Sequence, residues 1–471
     1  MNRVSRKVMM AWIGMGTRFL PFADAATPEL PLSRLLRLSL FQVSVGMSLV
    51  LLVGTLNRVM IVELDVPASL VGLMISLPLL FAPFRAVIGF KSDNHRSHLG
   101  WKRAPYIFRG AMVQFGGLAI MPFALLVLSG GGNAAAWPAW IGDVAAAVAF
   151  LAVGAGMHTT QTVGLALATD IAPAHSRPNV VGLMYVSLLF GMIVSALAFG
   201  LFLEDFTPGR LIQVIQATAV LTLVFNTAAL WKQERRVSGL MSQAAAIAPR
   251  FRDSWAGFIA GDHALRRLIA IGIGTMGFSM EDVLLEPYGG QVLHLAVGDT
   301  TKLTATLAVG GLLGFGLASR VLSRGADPFR MACYGALLGI PAFAAVILAN
   351  PLQSVALFAG GTALIGFGAG LFGHGTLTAT MNLAPRHQAG LALGAWGAVQ
   401  ATAAGLAIAL GGILRDAVAS ATQSPDPAAG YDFVYSLEIC LLFAALITMF
   451  PLARKLSATR IPARHKAAQP N

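Results

Sequence analysis

The sequence predicts an all-α integral membrane protein with twelve transmembrane helices arranged as two six-helix bundles. Three observations support this prediction: long apolar runs recur along the chain, Lys and Arg gather in alternate loops, and the two halves repeat one pattern. The 471 residues are 56% hydrophobic and 11% charged, whereas about a quarter of an average soluble protein is charged. Lipid rather than water is therefore expected to surround most of the chain.

The apolar runs predict where the chain crosses the bilayer, because a spanning helix needs about 20 mostly apolar residues. Spans 1 to 6 are predicted at residues 39–62, 67–90, 105–128, 139–170, 179–203 and 209–231. Spans 7 to 12 are predicted at residues 267–294, 302–322, 330–349, 353–383, 388–414 and 432–453. Runs 4 and 10 exceed the required length, so a tilted or broken helix is expected there.

The basic residues indicate the orientation of these spans. The N-terminal segment, the loops after spans 2, 6 and 8, and the C-terminal tail are rich in Lys and Arg, whereas the opposite loops hold Arg210, Lys302 and Arg415. All the rich loops fall on one side if the spans number twelve, and that side is expected to be the cytoplasm. The net charge of +12 therefore reflects membrane orientation, and nucleic-acid binding is not expected.

The spans divide the chain into five segments. They are a cytoplasmic N-terminal segment (1–38), an N-terminal six-helix bundle (39–231), a cytoplasmic central loop (232–266), a C-terminal six-helix bundle (267–453) and a cytoplasmic tail (454–471). The first segment is predicted to contain an interfacial helix rather than a cleaved signal peptide, because its apolar run is short and more cations follow it. The two cysteines, Cys333 and Cys440, lie inside apolar runs and predict neither disulfides nor a metal site.

The two halves contain an internal sequence repeat. A Gly-Ala-Gly triplet at 154–156 leads to Ala168-Thr169 and ends at Pro173, and a second triplet at 368–370 leads to Ala379-Thr380 and ends at Pro385. This repeat aligns span 4 with span 10, so the two are expected to be equivalent helices of the two halves. Two related helix bundles are typical of transporter folds.

A loop motif follows span 2. Its glycine, aspartate and basic pair are Gly89, Asp93, Lys102 and Arg103. They resemble the loop between the second and third helices of the major facilitator superfamily, and its counterpart in the second half, Gly316 to Arg324, is degraded. The resemblance implies a brace at the cytoplasmic ends of neighbouring helices, with no direct role in substrate binding.

Polar residues inside apolar spans are costly and usually functional. The candidates for a central cavity or for coupling lie in spans 1, 4 and 7, and they are Asn57, Arg58, Gln161, Asp170, Glu281, Asp282 and Glu286. Span 10 carries His374, Thr376, Thr378 and Asn382. These four spans open the four three-helix units, and in the facilitator fold that the loop motif resembles such spans line the central cavity, so the resemblance implies that their polar faces line a cavity between the halves.

Span 7 carries acids near its middle. Asp282 and Glu286 are four residues apart and would share one helix face, and Pro287 with the following Gly289-Gly290 would then break the helix. One interpretation is a broken helix whose acids face a cavity, a cation or the cations of a partner protein. The other is a shorter span that ends near Leu285, with the acids in the outer interface. The sequence leaves both open.

Two histidines occupy matching places in the halves. His158 and His374 each follow a glycine by one helical turn, Gly154 and Gly370, and residues four apart stack on one face. An imidazole beside an uncovered helix surface suits axial ligation of a flat macrocycle. The alternative is a histidine hydrogen-bonded to a neighbouring helix beside ordinary small-residue packing. A third candidate, His294, lies near the outer end of span 7, where a solvated interfacial position is the alternative.

Four stretches, 56–64, 89–106, 158–173 and 282–290, resemble the PucC/LhaA family, the bacteriochlorophyll-delivery branch of the major facilitator superfamily in purple phototrophic bacteria. The resemblance extends from Phe19 to about Leu452. It is stronger to the light-harvesting 1 assembly factors, LhaA, than to PucC, which serves light-harvesting 2.

The resemblance implies a role in assembling the light-harvesting 1 antenna in the intracytoplasmic part of the inner membrane. The implied partners are the antenna α and β polypeptides, the reaction-centre core complex, the lipid bilayer, and pigment-synthesis or protein-insertion machinery. Bacteriochlorophyll is the implied pigment, with carotenoid as a second one. The family carries over no settled pigment ligands.

A second hypothesis remains open. The chain would be a proton-coupled secondary transporter of a small solute or pigment precursor, with Glu281, Asp282 or Glu286 carrying the proton. An enzyme is not expected, because the sequence shows no nucleophile–base set, metal-ligand spacing or phosphate-binding loop.

Overall fold

The computed structural model describes residues 30–80, 85, 88, 92, 101–173, 177–234, 259, 263–383, 389–422 and 426–459. Their regular structure is helical, and eleven of the helices are long and apolar enough to cross a membrane. The shorter apolar helix Ala68–Leu79 begins where span 2 was predicted. The predicted interfacial helix, as well as Gly89 and Asp93 of the loop motif, falls outside the described residues.

Each predicted span corresponds to a helix. Those of the first half are Leu32–Glu63, Ala68–Leu80, Ala104–Leu128, Ala139–Ile171, Arg177–Phe202 and Pro208–Leu230. Those of the second half are Ala264–Gln291, Val297–Ser323, Pro328–Ala349, Val355–Leu383, Ala389–Thr422 and Ala428–Thr459. Large apolar side chains point outward from the bundle, and Phe123 and Ile447 are 69% and 72% exposed. Such side chains require lipid around them.

Spans 4 and 10 are continuous α-helices over Ala139–Ile171 and Val355–Leu383, so of the two expected alternatives, a tilted or a broken helix, the break is excluded. Span 1 is irregular instead. Its α-helical part, Leu40–Leu49, continues as π-helical turns over Val50–Leu56 and Val59–Glu63. Such turns are rare and are frequent at functional sites, and here they surround the polar pair Asn57 and Arg58.

Span 7 is broken, but not where the sequence suggested. The α-helix Ala264–Met276 ends at Gly277, a 3₁₀ turn follows at Glu281–Val283, and a second α-helix covers Leu285–Gln291. The break therefore precedes Pro287 rather than following it. Pro287 lies in the first turn of the second helix, where a missing N–H breaks no helical hydrogen bond.

The acids of span 7 consequently do not share one face. Asp282 lies in the 3₁₀ turn and Glu286 in the next helix. Glu281 and Glu286 are only 2% and 4% exposed. The alternative of a short span with its acids in the outer interface is therefore wrong as well.

Candidate functional site between the two halves

Close helix packing joins the two halves at the end opposite the basic loops. A methyl group added to Gly72 of span 2 would lie 2.9 Å from the carbonyl oxygen of Ile408 in span 11. One added to Gly298 of span 8 would lie 2.5 Å from the carbonyl oxygen of Gly200 in span 5. Small residues allow such close approach of backbones within a membrane. These contacts hold the spans of the two halves together at this end.

Polar contacts at the same end form a latch, defined here as Ser69, Gln291, Arg415, Asp416 and Tyr431. The Ser69 amide donates to Asp416 Oδ2 at 2.7 Å, which ties span 2 to span 11. Arg415 donates to Asp416 at 2.9 Å and to Gln291 Oε1 at 2.6 Å. The hydroxyl of Tyr431 also donates to Gln291 Oε1, at 2.6 Å. The latch thus connects spans 2, 7, 11 and 12.

Span 1 packs into the break of span 7. Asn57 is fully buried, and its Nδ2 donates to the carbonyl oxygen of Val283 at 2.9 Å. Arg58 pairs with Glu63 and donates to the carbonyl oxygen of Leu295 at 3.2 Å. Because the 3₁₀ turn leaves carbonyl groups without helical partners, Asn57 satisfies one of them. Asn57 and Arg58 therefore act in contact between the halves rather than on an open cavity wall.

Glu286 points toward span 1 and span 8. It accepts a hydrogen bond from the hydroxyl of Thr304. A methyl group added to Gly54 would lie 2.5 Å from Glu286 Oε1, so glycine at this position makes room for the carboxyl group. Glu286 thus belongs to the contact between the halves.

A cavity of about 320 Å³ lies between the halves, beside the break of span 7. Its lining comes from spans 5, 7, 8, 10 and 11 and includes Tyr185, Glu281, Asp282, Phe315, His374 and Trp396. The rings of Phe315 and His374 are in contact, with centroids 4.2 Å apart. The described lining residues include none from spans 1 or 4, so the expectation that polar faces of those two spans line this cavity is not met.

The glycines before the two histidines are covered, which corrects the idea of uncovered helix surfaces. A methyl group added to Gly154 would collide with the Pro78 ring of span 2, and one added to Gly370 would lie 2.5 Å from the carbonyl oxygen of Gly311 in span 8. The open surface lies instead at Gly373, which lines the cavity and where an added methyl group would meet nothing within 4 Å. The surface of span 10 beside His374 is therefore open to the cavity at Gly373 and not at Gly370.

The histidines have different surroundings. His158 is 8% exposed and His374 is half-buried, and within the described residues the buried Nδ1 atom of each has no hydrogen-bond partner. His294 is exposed in the turn before span 8, which fits an interfacial position rather than an internal ligand. The described residues contain no group of three or more His, Cys, Asp or Glu that could hold a metal ion.

Gln161 belongs to a polar network inside the first half. Arg85 of span 2 donates to Gln161 Oε1 and to Thr162 Oγ1, both at 2.9 Å, and Gln161 Nε2 lies 3.4 Å from Gln42 Oε1 of span 1. Arg85 thus turns inward to neutral partners. The network links spans 1, 2 and 4.

Asp170 lies with the loop motif rather than in the cavity. Its carboxylate accepts from Arg103 Nε at 3.0 Å, and Arg103 also donates to Ser92 Oγ at 2.7 Å. Arg103 is buried, whereas the Lys102 side chain is exposed. The motif therefore connects spans 2, 3 and 4 through Arg103, and Asp170 lies with it rather than among the described residues that line the cavity.

Glu438 of span 12 is a buried acid that the sequence reasoning missed. It is fully buried, and its Oε1 accepts from the backbone N–H of Glu281 at 2.9 Å. The signal was a single acid inside an apolar run, which is itself rare in membranes. Glu438 therefore binds the backbone of the same break in span 7 that Asn57 binds.

Sequence comparison decides the family. A family model described as PUCC protein matches residues 55–456, which is most of the chain. The chain belongs to the PucC family. It is 64% identical to Protein PucC of Rhodovulum sulfidophilum over 89% of this chain and 92% of that protein. It is 58% identical to Protein PucC of Cereibacter sphaeroides over 95% and 98% of the two chains.

A more distant relative of this PucC-family chain is the Bacteriochlorophyll synthase 44.5 kDa chain of Rhodobacter capsulatus, 27% identical over 91% of this chain and 97% of that protein. Among solved structures, an inward-facing bacterial homologue of the lysosomal transporter Spinster matches with a TM-score of 0.66 and 16% identity, over 93% of this chain and all of that one. This confirms the major-facilitator-type fold of a multi-pass membrane protein.

Proposed function

We propose that this PucC-family protein is a chaperone-like assembly factor for the light-harvesting 1 antenna of purple bacteria. It assists insertion and oligomerisation of the α and β polypeptides and presents bacteriochlorophyll to them, without chemistry of its own. The observation that carries the proposal is the cavity between the halves, whose wall holds the His374 imidazole beside the open surface at Gly373.

The cavity is large enough for only part of a pigment molecule. Its volume of about 320 Å³ lies at the lower end of the ~300–1,000 Å³ common for small-molecule pockets, so a pigment with a long apolar tail would have to extend beyond it. His374 would bind the central metal of the tetrapyrrole, and Phe315 and Trp396 would pack against its ring. Carotenoid, which needs no ligand of this kind, is a second pigment to test for.

The proposal places the protein in the intracytoplasmic inner membrane with both termini in the cytoplasm. The basic loops support this orientation. The proposed partners are the light-harvesting 1 polypeptides, the reaction-centre core complex, and pigment-synthesis or protein-insertion machinery. Deletion of the gene in its own phototroph should lower the light-harvesting 1 absorption band, and loss of the light-harvesting 2 band alone would assign the protein to the other antenna.

Gentle purification tests pigment binding. We expect bacteriochlorophyll in the absorption spectrum of the wild-type protein, and less of it in His374→Leu. His158→Leu and the double variant test the second histidine, and the exposed His294→Asn serves as a control. Unchanged pigment content and spectrum in the double variant would remove both histidines as ligands.

One observation favours proton-coupled transport as a second candidate function. Glu281 and Glu438 are buried side by side, and within the described residues each has one carboxyl oxygen without a hydrogen-bond partner. Ionisable residues inside transmembrane segments are rare and often form proton relays, so these two acids are candidate proton carriers. Reconstituted vesicles that show no flux of candidate solutes, with or without a pH gradient, would argue against transport.

A further inference from the structure

A second, larger cavity lies on the lipid-facing surface, at the end that carries the basic loops. This groove has a volume of about 710 Å³ and runs between spans 3 and 6. Its lining is mostly apolar and includes Trp101, Pro105, Phe108, Leu230 and Trp231. Phe108 and Trp231 are 52% and 60% exposed. Tryptophan is typical of the membrane–water interface, which places the groove at headgroup level.

The chain after span 6 is fastened against span 3 and span 1, and this fixes the shape of the groove. Gln233 is fully enclosed and exchanges hydrogen bonds with Arg34, whose Nε donates to Gln233 Oε1 at 3.0 Å. Glu234 accepts from the backbone N–H groups of Lys102, Arg103 and Ala104 at 2.7–3.1 Å. The groove is therefore preorganised, which reduces the ordering cost of binding.

Lys232 is the cation at the rim of this groove. It lies between Trp231 and Gln233, it is exposed, and its backbone has a φ of 55°. Within the described residues, Lys232 forms no ion pair or side-chain hydrogen bond. Lys102 and Arg109, both exposed, adjoin the lining residues Trp101 and Phe108 in sequence. Among the described lining residues Lys232 is therefore the free cation above an apolar interior, whereas the acid Glu234 is held by backbone N–H groups.

We propose that this groove binds an anionic phospholipid, with its phosphate on Lys232 and an acyl chain along Phe108 and Trp231. Basic pockets between transmembrane helices on the cytoplasmic side are suited to anionic headgroups. A tetrapyrrole fits less well, because the described residues that line the groove include no histidine or cysteine. The polar side chains of Gln233 and Glu234 are already engaged by protein groups. The site is separate from the cavity between the halves and does not depend on the assembly role.

Phosphatidylglycerol and phosphatidylcholine with identical acyl chains are the probes for this site. The detergent-purified full chain is titrated with each lipid, and binding is followed by native mass spectrometry and by quenching of tryptophan fluorescence with brominated acyl chains. We expect tighter binding of phosphatidylglycerol. Lys232→Gln should weaken it about fivefold, which corresponds to about 1 kcal/mol for one basic residue near a membrane surface, and should leave phosphatidylcholine unchanged.

Two further variants keep the test decisive. Trp231→Ala should weaken binding of both lipids, because it removes the apolar wall. Arg324→Gln removes an exposed cation from the basic end of the second half and should change the binding of neither lipid. Equal binding of the two lipids, or a Lys232→Gln variant that binds like wild type, would overturn the proposal. So would a co-purified tetrapyrrole that is lost in Trp231→Ala while phosphatidylglycerol binding is unchanged.

Discussion

The hydroxyl oxygens of Thr55 and Thr301 lie 3.5 Å apart, although one residue belongs to span 1 and the other to span 8. Both side chains are fully buried. The contact lies in the region where Asn57 reaches the break of span 7. It therefore reports directly on whether the two halves are closed against each other at the end opposite the basic loops.

Cysteines at these two positions should form a disulfide in this closed arrangement. In a chain with Cys333→Ala and Cys440→Ala, the pair Thr55→Cys and Thr301→Cys should cross-link under a membrane-permeant oxidant, because the side chains are already in contact. A protease site inserted between residues 240 and 250 makes the cross-link visible, since only a disulfide then holds the two halves together on a non-reducing gel.

The control for this experiment is Thr55→Cys with Thr306→Cys. Thr306 is five residues along span 8, which turns its side chain about 140° away from Thr301. This pair should stay uncrosslinked. Equal cross-linking of both pairs would show that the contact is not specific, and no cross-linking of the Thr301 pair would contradict the closed arrangement.

Two glycines three residues apart should respond oppositely to alanine. Gly370→Ala should lower the free energy of unfolding by about 1–3 kcal/mol, because the new methyl group collides with the Gly311 carbonyl. Gly373→Ala should leave stability unchanged or raise it by about 0.5–1 kcal/mol, because the methyl group enters open space and alanine favours the helix. Thermal unfolding in detergent measures both.

The same pair separates packing from pigment binding. Gly373→Leu fills the surface beside His374 and should reduce pigment content without lowering stability, if the cavity holds the pigment. A destabilised Gly373→Ala, or a Gly370→Ala variant as stable as wild type, would contradict the assignment of the two glycines.

The spans could be predicted from sequence because lipid burial is determined by composition over about 20 residues, and each predicted run corresponds to a helix. The position of the helix break in span 7 could not be predicted from the sequence. Pro287 suggested a break after the acids, but proline is tolerated in the first turn of a helix. The position of the break depends on distant groups, since Asn57 binds the Val283 carbonyl and Glu438 binds the Glu281 amide.

The candidate site was predicted in part. His374, Glu281 and Asp282 do line one cavity, because intramembrane polar residues are rare enough to mark internal faces. Asp170 and Glu286 are not among its described lining residues, since their partners Arg103 and Thr304 are set by helix packing that periodicity does not reveal. Glu438 was overlooked because a single acid in span 12 forms no pattern with its neighbours.

Glu438 should tolerate an amide better than an apolar side chain. Glu438→Gln retains an oxygen that accepts from the Glu281 N–H and should change stability little. Glu438→Leu leaves that buried donor without a partner and should lower the free energy of unfolding by about 1–3 kcal/mol. Thermal unfolding of both variants measures the difference. Equal loss of stability in Glu438→Gln and Glu438→Leu would instead show that the carboxyl group of Glu438 itself is needed.

Glu234 should stabilise the start of span 3. Its carboxylate accepts from three backbone N–H groups at residues 102–104, which have no helical partners of their own at a helix N-terminus. Glu234→Ala should lower the free energy of unfolding by about 1–2 kcal/mol and increase proteolysis of the central loop. Glu204→Ala, an exposed glutamate without a side-chain hydrogen bond in the described part of the chain, should do neither. Wild-type stability and proteolysis in Glu234→Ala would show that this cap does not hold the loop against span 3.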